Sequence, residues 1–540
     1  MAGQSKMDPE MFSMVLETLN KLEREKLTLE AKLEMDREGD FPMELIRFML
    51  GPEIALHLIF IPEEYGGLGA GAREIAIISE KMAKIDLAIA TSFLAICLGM
   101  DPIMVGATQE QRDKWIGKIA TEGLIVAYGV TEPEAGSNVQ ALKTRAERVL
   151  DEEGNVKGYE LNGQKQFITN GGVAALYTIL ADTPGGPSFF VVEGGCDGLF
   201  PGKHEDKHGI RASDTCPLSL DDLFVPVENL VGGIEGQGLK QANQVFGYTR
   251  LMVATFGLGG GMAALEKAVT YAKERVQFGG PLIEKQGYTH RLLVPNAVQL
   301  EAARAYIEKT AERLDAGEED LQVEGSIAKY FATEAGDAMA NNAIQALGGY
   351  GYMREFEVEK IKRDIKITTI FEGTSEIQRN IISTFRLRDT VRSKGRFYLD
   401  MAEGLERLPA GCGAHLLARA IRLMNNVIPN ARRFKLTRSQ YVMSLVADMV
   451  TWCEVAEALC QKAASYEGKE RSPDFMNAAT RLFARETAEK VYLNTLKIAR
   501  GCDQSMDEVL QELNLLELGQ AMGDHLKDMN EVAAELDRVM

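Results

Sequence analysis

Four stretches pair glycines with hydroxyls, an amide, an aromatic ring or an arginine in ways suited to holding a flat, phosphate-bearing molecule. In VTEPEAGSN (130–138), Thr131, Ser137 and the open backbone around Gly136 can donate hydrogen bonds to a polar ring edge or a phosphate; a plain surface turn serves the same letters. In KQFITNGG (165–172), Phe167 and, two residues on, the Thr169 hydroxyl share one strand face and can wall a flat heterocycle or pack into a core. RVQFGG (275–280) puts Arg275 at a helix end before Gln277, Phe278 and two glycines, where a pyrophosphate can sit or a charged last turn can end. IQALGGYGYM (344–353) offers Gln345 and open glycine amides to a dinucleotide or to a helix terminus. A fifth stretch, IFEGTSEIQRNI (370–381), sets Glu372 directly before Gly-Thr between two helical runs; the structural alternative is a carboxylate facing a helix dipole.

Other chemistries find little support. GLGGGM (257–262) has Met262 where a dinucleotide fingerprint needs its last glycine, and no strand precedes it. His204 and His208 lie four apart beside Pro201-Gly202, on no helix that would join them around a metal. No GxSxG, HExxH or phosphate-loop spacing occurs, so hydrolase and ATPase readings lose their usual basis.

The elements that must position these residues follow from periodicity. Apolar residues recur at helical spacing from about 10 to 120, broken at IPEEYGGLGAGAREIA, where Pro62 and the glycines from Gly66 to Gly71 form a loop. Between about 125 and 232 short β-branched runs alternate with turn residues, and Asn162-Gly163 and Pro184 to Pro187 read as hairpin or loop signals. Long helical periods return from 233 to 385, enough for four helices interrupted at Gly280-Pro281 and Gly348 to Gly351. A further helical region follows. Residues 326–349 align without a gap on 478–501, matching Phe331 to Phe483, Glu334 to Glu486 and Gly349 to Gly501, which favours a second bundle copied from the first. The copy has Lys497 and Arg500 for Gln345 and Gly348 and no following Glu-Gly-Thr, so it reads as catalytically empty. The expected fold class is multidomain α+β: an α-helical domain (1–124), a β-barrel-like middle domain (125–232), a four-helix bundle (233–385) and an extra helical bundle (386–540).

At 540 residues the chain is long enough for three or four cores. Its net charge of −19 repels phosphate backbones and anionic lipid, which disfavours nucleic-acid binding and points to small molecules and proteins as partners. Seven cysteines without a CxxC pair suggest a reducing compartment, and Cys453 and Cys460 read as packing on one helix face. The N-terminal MAGQSKMDPEMFSMVLETLNKLEREKL lacks the features of a signal peptide, so a cytoplasmic location is expected. The apolar run Leu87 to Met100, 14 residues between Asp86 and Asp101, is too short to span a bilayer and reads as a buried helix.

Taken in order, PEEYGG (62–67), AYGVTEPEAGSN, LNGQKQFITNGG, GIRASDT (209–215), RVQFGG, QALGGYGY and FEGTSEIQR (371–379) resemble the acyl-CoA dehydrogenase family over roughly residues 40 to 385. The resemblance implies FAD held between the three domains and across a subunit interface. It implies that Glu372 removes the α-proton of an acyl-CoA thioester while the β carbon delivers hydride to the flavin, giving the trans-2-enoyl-CoA. Such a proton is weakly acidic, so the base needs a water-poor pocket and the enolate nearby donors. Gly373 would let the chain turn toward the flavin, Thr374 would donate to it, and Phe371 would cover the thioester. Relatives with the base elsewhere carry it where this chain has Thr249, which strengthens Glu372; Arg250 would support the base loop or be a plain surface arginine.

For FAD the resemblance names Tyr128, Val130, Thr131, Gly136 and Ser137, then Phe167 and Thr169, and Arg275, Gln277, Phe278 and Gln286. Gln345, Gly348 and Gly349 would reach a partner subunit's cofactor, with Thr374 and Glu376 beside the ring or adenine. Position 167 is Phe where Trp is frequent and 376 is Glu where Gln is common, so the Glu376 contact is the one put in question. Ser137 and, on the helix around 87–100, Ala90 and Leu94 would line the acyl-CoA pocket. The extra bundle resembles the very-long-chain subgroup, which implies a homodimer rather than a tetramer. It also leaves open peripheral membrane contact through RSKGR and NARRFKLTR, against a solvated basic face. The family implies fatty-acid β-oxidation with an electron-transfer flavoprotein as acceptor; an acyl-CoA oxidase or a non-catalytic flavoprotein assembly partner remains the alternative.

Overall fold

The structure is a computed structural model describing residues 7–318, 320–409, 411–468, 471–501, 506–513 and 515–539. It divides into two compact units, residues 1–252 with 311–321 and residues 253–310 with 322–540.

The first unit opens with α1 (Pro9–Glu25), α2 (Leu29–Glu38), α3 (Met43–Leu50), α4 (Ala72–Ile85), α5 (Leu87–Gly106) and α6 (Gln109–Glu122). Asp86 starts α5 by accepting the Ile89 N–H at 3.0 Å, and Thr108 starts α6 by accepting that of Gln111 at 3.2 Å. At 20 residues, α5 runs longer than the expected 14-residue core helix and is long and apolar enough to cross a membrane, yet 78% of its most apolar window is buried inside the protein. Its apolarity all round is explained by its neighbours: Phe93 packs on Phe60 at 5.6 Å, and the Gly99 carbonyl accepts the Thr178 hydroxyl at 2.8 Å.

Beside these helices lie β1 (Val126–Gly129), β2 (Arg145–Leu150), β3 (Val156–Thr169), β4 (Leu176–Thr183), β5 (Gly186–Glu193), β6 (Leu199–Pro201) and β7 (Thr215–Pro226). The sheet order is β1-β4-β2-β3-β7-β6, with β5 on β4. β1 runs parallel to β4, whereas β2–β3, β3–β7 and β4–β5 are antiparallel. Leu180, Phe189 and Phe190 are fully buried, each burial worth roughly 1.5–3 kcal/mol. Pro184 to Pro187 does make the β4–β5 hairpin. Asn162-Gly163 does not make a turn: it lies inside the 14-residue β3 at a register shift against β7. Asn162 spends its amide on Asp222 across the strands, accepting the Asp222 N–H at 2.9 Å, so the turn-forming residues serve a bulge.

The second unit draws on α7 (Gly238–Glu274), α8 (Gln286–Leu292), α9 (Val294–Asp315), α10 (Gln322–Leu347), α11 (Val358–Ile365) and α12 (Ser375–Arg392). It continues through α13 (Arg396–Glu406), α14 (Ala414–Arg433), α15 (Gln440–Ala464), α16 (Pro473–Arg500), α17 (Asp507–Leu510), α18 (Leu515–Ala521) and α19 (His525–Val539). GLGGGM falls inside α7, and its glycines serve packing. A Cβ on Gly257 would stand 2.6 Å from the Thr333 Cα of α10, and one on Gly336 would stand 2.1 Å from the Gly257 carbonyl oxygen.

α12 passes without a break through residue 385, where a domain boundary was expected. Its Arg386, 4% exposed, hydrogen-bonds Glu454 of α15 at 2.7 and 2.9 Å and Glu324 of α10 at 2.9 Å, and the Tyr398 hydroxyl donates to Glu454 at 3.0 Å. The repeat-matched Phe331 and Phe483 pack on each other edge to face at 5.6 Å, with Trp452 stacked on Phe483 at 5.1 Å. The two helices matched in sequence thus share one aromatic core.

Candidate functional site

The Glu-Gly-Thr turn is built by three helices of the second unit. A 3₁₀ turn, Lys366–Thr369, ends α11, and α12 begins at Ser375 with Thr374 as its N-cap. Glu372 and Gly373 fall between them with φ of +56° and +90°. A left-handed conformation suits glycine but strains a glutamate by about 1–2 kcal/mol, so the surroundings must impose it. Gln378 of α12, fully buried, donates to the carbonyls of Glu372 and Gly373, each at 2.9 Å. Lys329 of α10, also fully buried, donates to the Gly373 carbonyl at 2.8 Å. The Ser375 hydroxyl reaches Glu334 of α10 at 2.5 Å. Glu372 is half-buried, and the ring of its neighbour Phe371 lies 6.5 Å from that of Phe256. A Cβ on Gly373 would meet the Gln378 amide nitrogen at 2.6 Å, so both φ and contact require glycine there.

The helix-dipole alternative for Glu372 fits Glu376 instead, which occupies the first turn of α12. Its own N–H and the Thr374 hydroxyl hold the Glu376 carboxyl below its usual range. The Thr374 oxygen in turn accepts the Ile377 N–H at 3.4 Å.

Elsewhere in this unit, Arg275 follows α7 and leads into the small hairpin Val276–Gln277 with Gly280–Pro281. Phe278 at its tip is 97% exposed with φ +50°. Tyr271, one turn before Arg275, packs on Tyr350 at 6.1 Å, and the Tyr288 hydroxyl of α8 donates to the Ala346 carbonyl at 3.1 Å. These contacts gather the hairpin, α8 and the exposed Gln345, Gly348 and Gly349 into one neighbourhood. Gln286 donates to Asn530 of α19 at 2.9 Å, an anchor in the appended region.

In the first unit, Tyr128 of β1 stacks on Phe189 at 5.7 Å and meets Phe246 edge-on at 6.4 Å. Val130 is buried, Thr131 half-buried, and Gly136 and Ser137 are exposed. The Thr131 carbonyl accepts the Gln166 N–H at 2.9 Å, bringing the first motif against the second. Phe167 and Thr169 do not share a face by simple alternation. A bulge between Lys165 and Ile168 breaks the period, holds Phe167 at φ +58° and leaves its ring 65% exposed, while Thr169 pairs with Thr215. Ala90 and Leu94 are buried in α5. Thr249 and Arg250 are buried too, and Arg250 stands over the Phe246 ring at 5.8 Å, so the surface-arginine alternative fails. His204 pairs with Asp214 at 3.2 Å.

Three buried polar groups escaped the sequence reading. Besides Gln378 and Lys329, Lys165 forms an ion pair with Glu132 at 2.7 Å inside the two β motifs. Burial brings the Lys165 ammonium down to about 8 against the pull of Glu132. Burial also works to raise Glu132, but the Lys165 charge and the donors of Lys165, Thr144 and Lys143 outweigh it and hold the carboxyl low. The signal available was a lysine set among alternating or apolar neighbours, in GQKQF and SIAKYFA. The two exposed phenylalanines, Phe167 and Phe278, held in strained backbone, fit a flat aromatic cofactor better than a packed core.

Residues 10–123, 127–223 and 236–386 match the N-terminal, middle and C-terminal domains of acyl-CoA dehydrogenase. An acyl-CoA dehydrogenase of Bacillus subtilis (strain 168) is 38% identical over 362 residues, covering 66% of this chain and 93% of that protein. Cyclohex-1-ene-1-carbonyl-CoA dehydrogenase of Geobacter metallireducens is 36% identical over 375 residues, covering 66% of this chain and 97% of that protein. The crystal structure of an acyl-CoA dehydrogenase complexed with FAD from Bacillus anthracis superposes with a TM-score of 0.84 at 26% identity, covering 98% of this chain and 95% of that one. That likeness extends through the appended bundle.

Proposed function

Because this chain belongs to the acyl-CoA dehydrogenase family and is a FAD-dependent oxidoreductase, we propose that it desaturates an acyl-CoA between its α and β carbons with Glu372 as the base. The Glu372 carboxylate takes the α-proton; the α C–H electron pair becomes the new C=C bond as the β carbon gives up hydride. FAD, when bound, supplies the acceptor for that hydride. The observation that carries the reading is the turn itself: a half-buried glutamate held at φ +56° by two fully buried donors, Gln378 and Lys329. Such a turn keeps the carboxylate in one place, and positioning of this kind is worth several powers of ten in rate.

Phe167 and Phe278 would stack on or flank the cofactor, with Tyr128, Val130, Thr131, Gly136, Ser137 and Thr169 around it. Arg275, Gln277, Gln286, Gln345, Gly348, Gly349, Thr374 and Glu376 complete the set, the exposed glycine turn serving a second copy in a homodimer. Ser137, Thr249, Arg250, Phe371, Gly373, Ala90 and Leu94 would meet the acyl-CoA. We assign the electrons to an electron-transfer flavoprotein and the enzyme to fatty-acid β-oxidation in the cytoplasm.

Anaerobic titration of the flavoprotein with linear, branched and cyclic acyl-CoAs tests this, with oxygen or an electron-transfer flavoprotein added in parallel. At least one acyl-CoA bleaches the flavin, and colour returns faster with the flavoprotein than with oxygen. Glu372→Gln keeps the yellow cofactor and loses α-proton exchange; exchange at the native rate means another base operates. Bleaching by no acyl-CoA overturns the reading.

A further inference from the structure

The second unit contains a cavity of about 850 Å³ that plays no part in the reaction above. It is formed where α12 ends, α13 begins and α14 passes, with Glu512 at its edge. The two basic pieces of sequence meet here: Lys394 from RSKGR and Arg432 and Arg433 from NARRFKLTR line the same cavity, joined by Arg422.

Their charges are unevenly met. Arg422 is paired with Glu406, at 3.0 and 2.9 Å, and Glu512 already accepts the Asn426 amide. Among the described residues, Lys394 and Arg432 form no ion pair, although the chain carries a net charge of −19. The turn Lys394-Gly395, at φ +53° and +81°, folds against Asn425, whose side-chain oxygen is buried in the cavity wall with no hydrogen-bond partner. Val391, Leu399 and Pro429 supply an apolar side. Unpaired cations on the rim beside an apolar side describe a site for an anion that carries an organic part, and the Asn425 oxygen, an acceptor, takes no part in holding the anion.

We propose that this cavity binds a soluble phosphate-bearing molecule of nucleotide size, its phosphates on Lys394, Arg432 and Arg433 and its organic part against Val391, Leu399 and Pro429. A cavity of this size holds a small molecule, and the chain's net charge of −19 opposes docking of the whole protein on an anionic lipid face.

Calorimetric titration of the full-length, FAD-loaded protein with ADP and with inorganic pyrophosphate tests it, beside the exposed double substitution Lys394→Ala/Arg432→Ala. ADP binds the native protein with an affinity that falls as salt rises, and at least tenfold more weakly to the double variant, while flavin content and thermal midpoint stay the same. Native-like ADP affinity in the variant overturns the proposal, as does absence of binding heat. Binding of phosphatidylglycerol vesicles without binding of ADP or pyrophosphate likewise overturns it in favour of a lipid surface.

Discussion

The side-chain amide of Gln378 donates to the backbone carbonyl of Glu372 at 2.9 Å, from a residue that no solvent reaches. The backbone of the Glu372 turn and the helix that follows it are therefore mechanically one piece. Glu372 has no conformational reason of its own to sit at φ +56°; Gln378, with Lys329 from α10, supplies it.

Gln378→Leu keeps the volume and removes the donor to the Glu372 carbonyl, at a cost of about 1–3 kcal/mol, while Lys329 still serves the Gly373 carbonyl. The turn then relaxes toward ordinary φ values, and a displacement of the base near 1 Å lowers turnover by roughly a hundredfold. Flavin content is retained. Steady-state kinetics and a thermal melt check this: native turnover with a lowered melting point would mean that Gln378 serves stability alone.

The Glu132–Lys165 pair anchors the first β motif against the second in the same way. Lys165→Met leaves Glu132 as a lone buried carboxylate and costs about 3–5 kcal/mol, whereas Lys165→Met/Glu132→Gln removes both charges and costs much less. Denaturant midpoints of the single and double variants show this non-additivity. Flavin release should follow the same order, because the 130–137 segment loses its anchor. Additive losses would show that the two side chains act independently.

Residue types and spacing were enough to expose the helical and β regions, the copied helix and the motifs that line up with the family. Each of these depends on neighbours in sequence. The supports were less legible because they act over distance: Lys329 reaches Gly373 and Lys165 reaches Glu132 from other elements. Asn162-Gly163 misled for the same reason, since only pairing with Asp222 across β7 decides between a turn and a bulge. Nor does any local rule place phenylalanine or glutamate at positive φ. Phe167, Phe278 and Glu372 all adopt it, although they were singled out by their places in motifs and by the family resemblance, neither of which carries backbone geometry.

Phe278→Gly separates cofactor binding from folding. The ring is 97% exposed, so its removal sacrifices almost no burial, and glycine adopts φ +50° without the strain that phenylalanine bears. The melting point of the flavin-free protein stays level or rises. Flavin retained after dialysis falls severalfold, because the stacking surface is gone. Unchanged retention would remove Phe278 from the cofactor site.

Glu486, the repeat counterpart of Glu334, supplies a pH-dependent test of the appended bundle. Burial raises its carboxyl to about 7, against the opposing effects of Lys490 and the hydrogen bond donated by Gln299 at 2.9 Å. Between about 4.5 and 7 the folded chain keeps a proton that the unfolded chain has released, so this group's contribution to stability falls as pH rises through that window and is level above it. Glu486→Gln keeps the volume and a partner for Gln299 without the charge. The variant should match the native protein at pH 5 and exceed it at pH 8 by about 1–3 kcal/mol, read from urea midpoints at the two pH values. Trp452, stacked on Phe483 one turn away and lying under the Lys490 ammonium at 4.0 Å, supplies the fluorescence signal. A gain of equal size at both pH values would mean that the carboxyl is ionised throughout and that burial does not hold its proton.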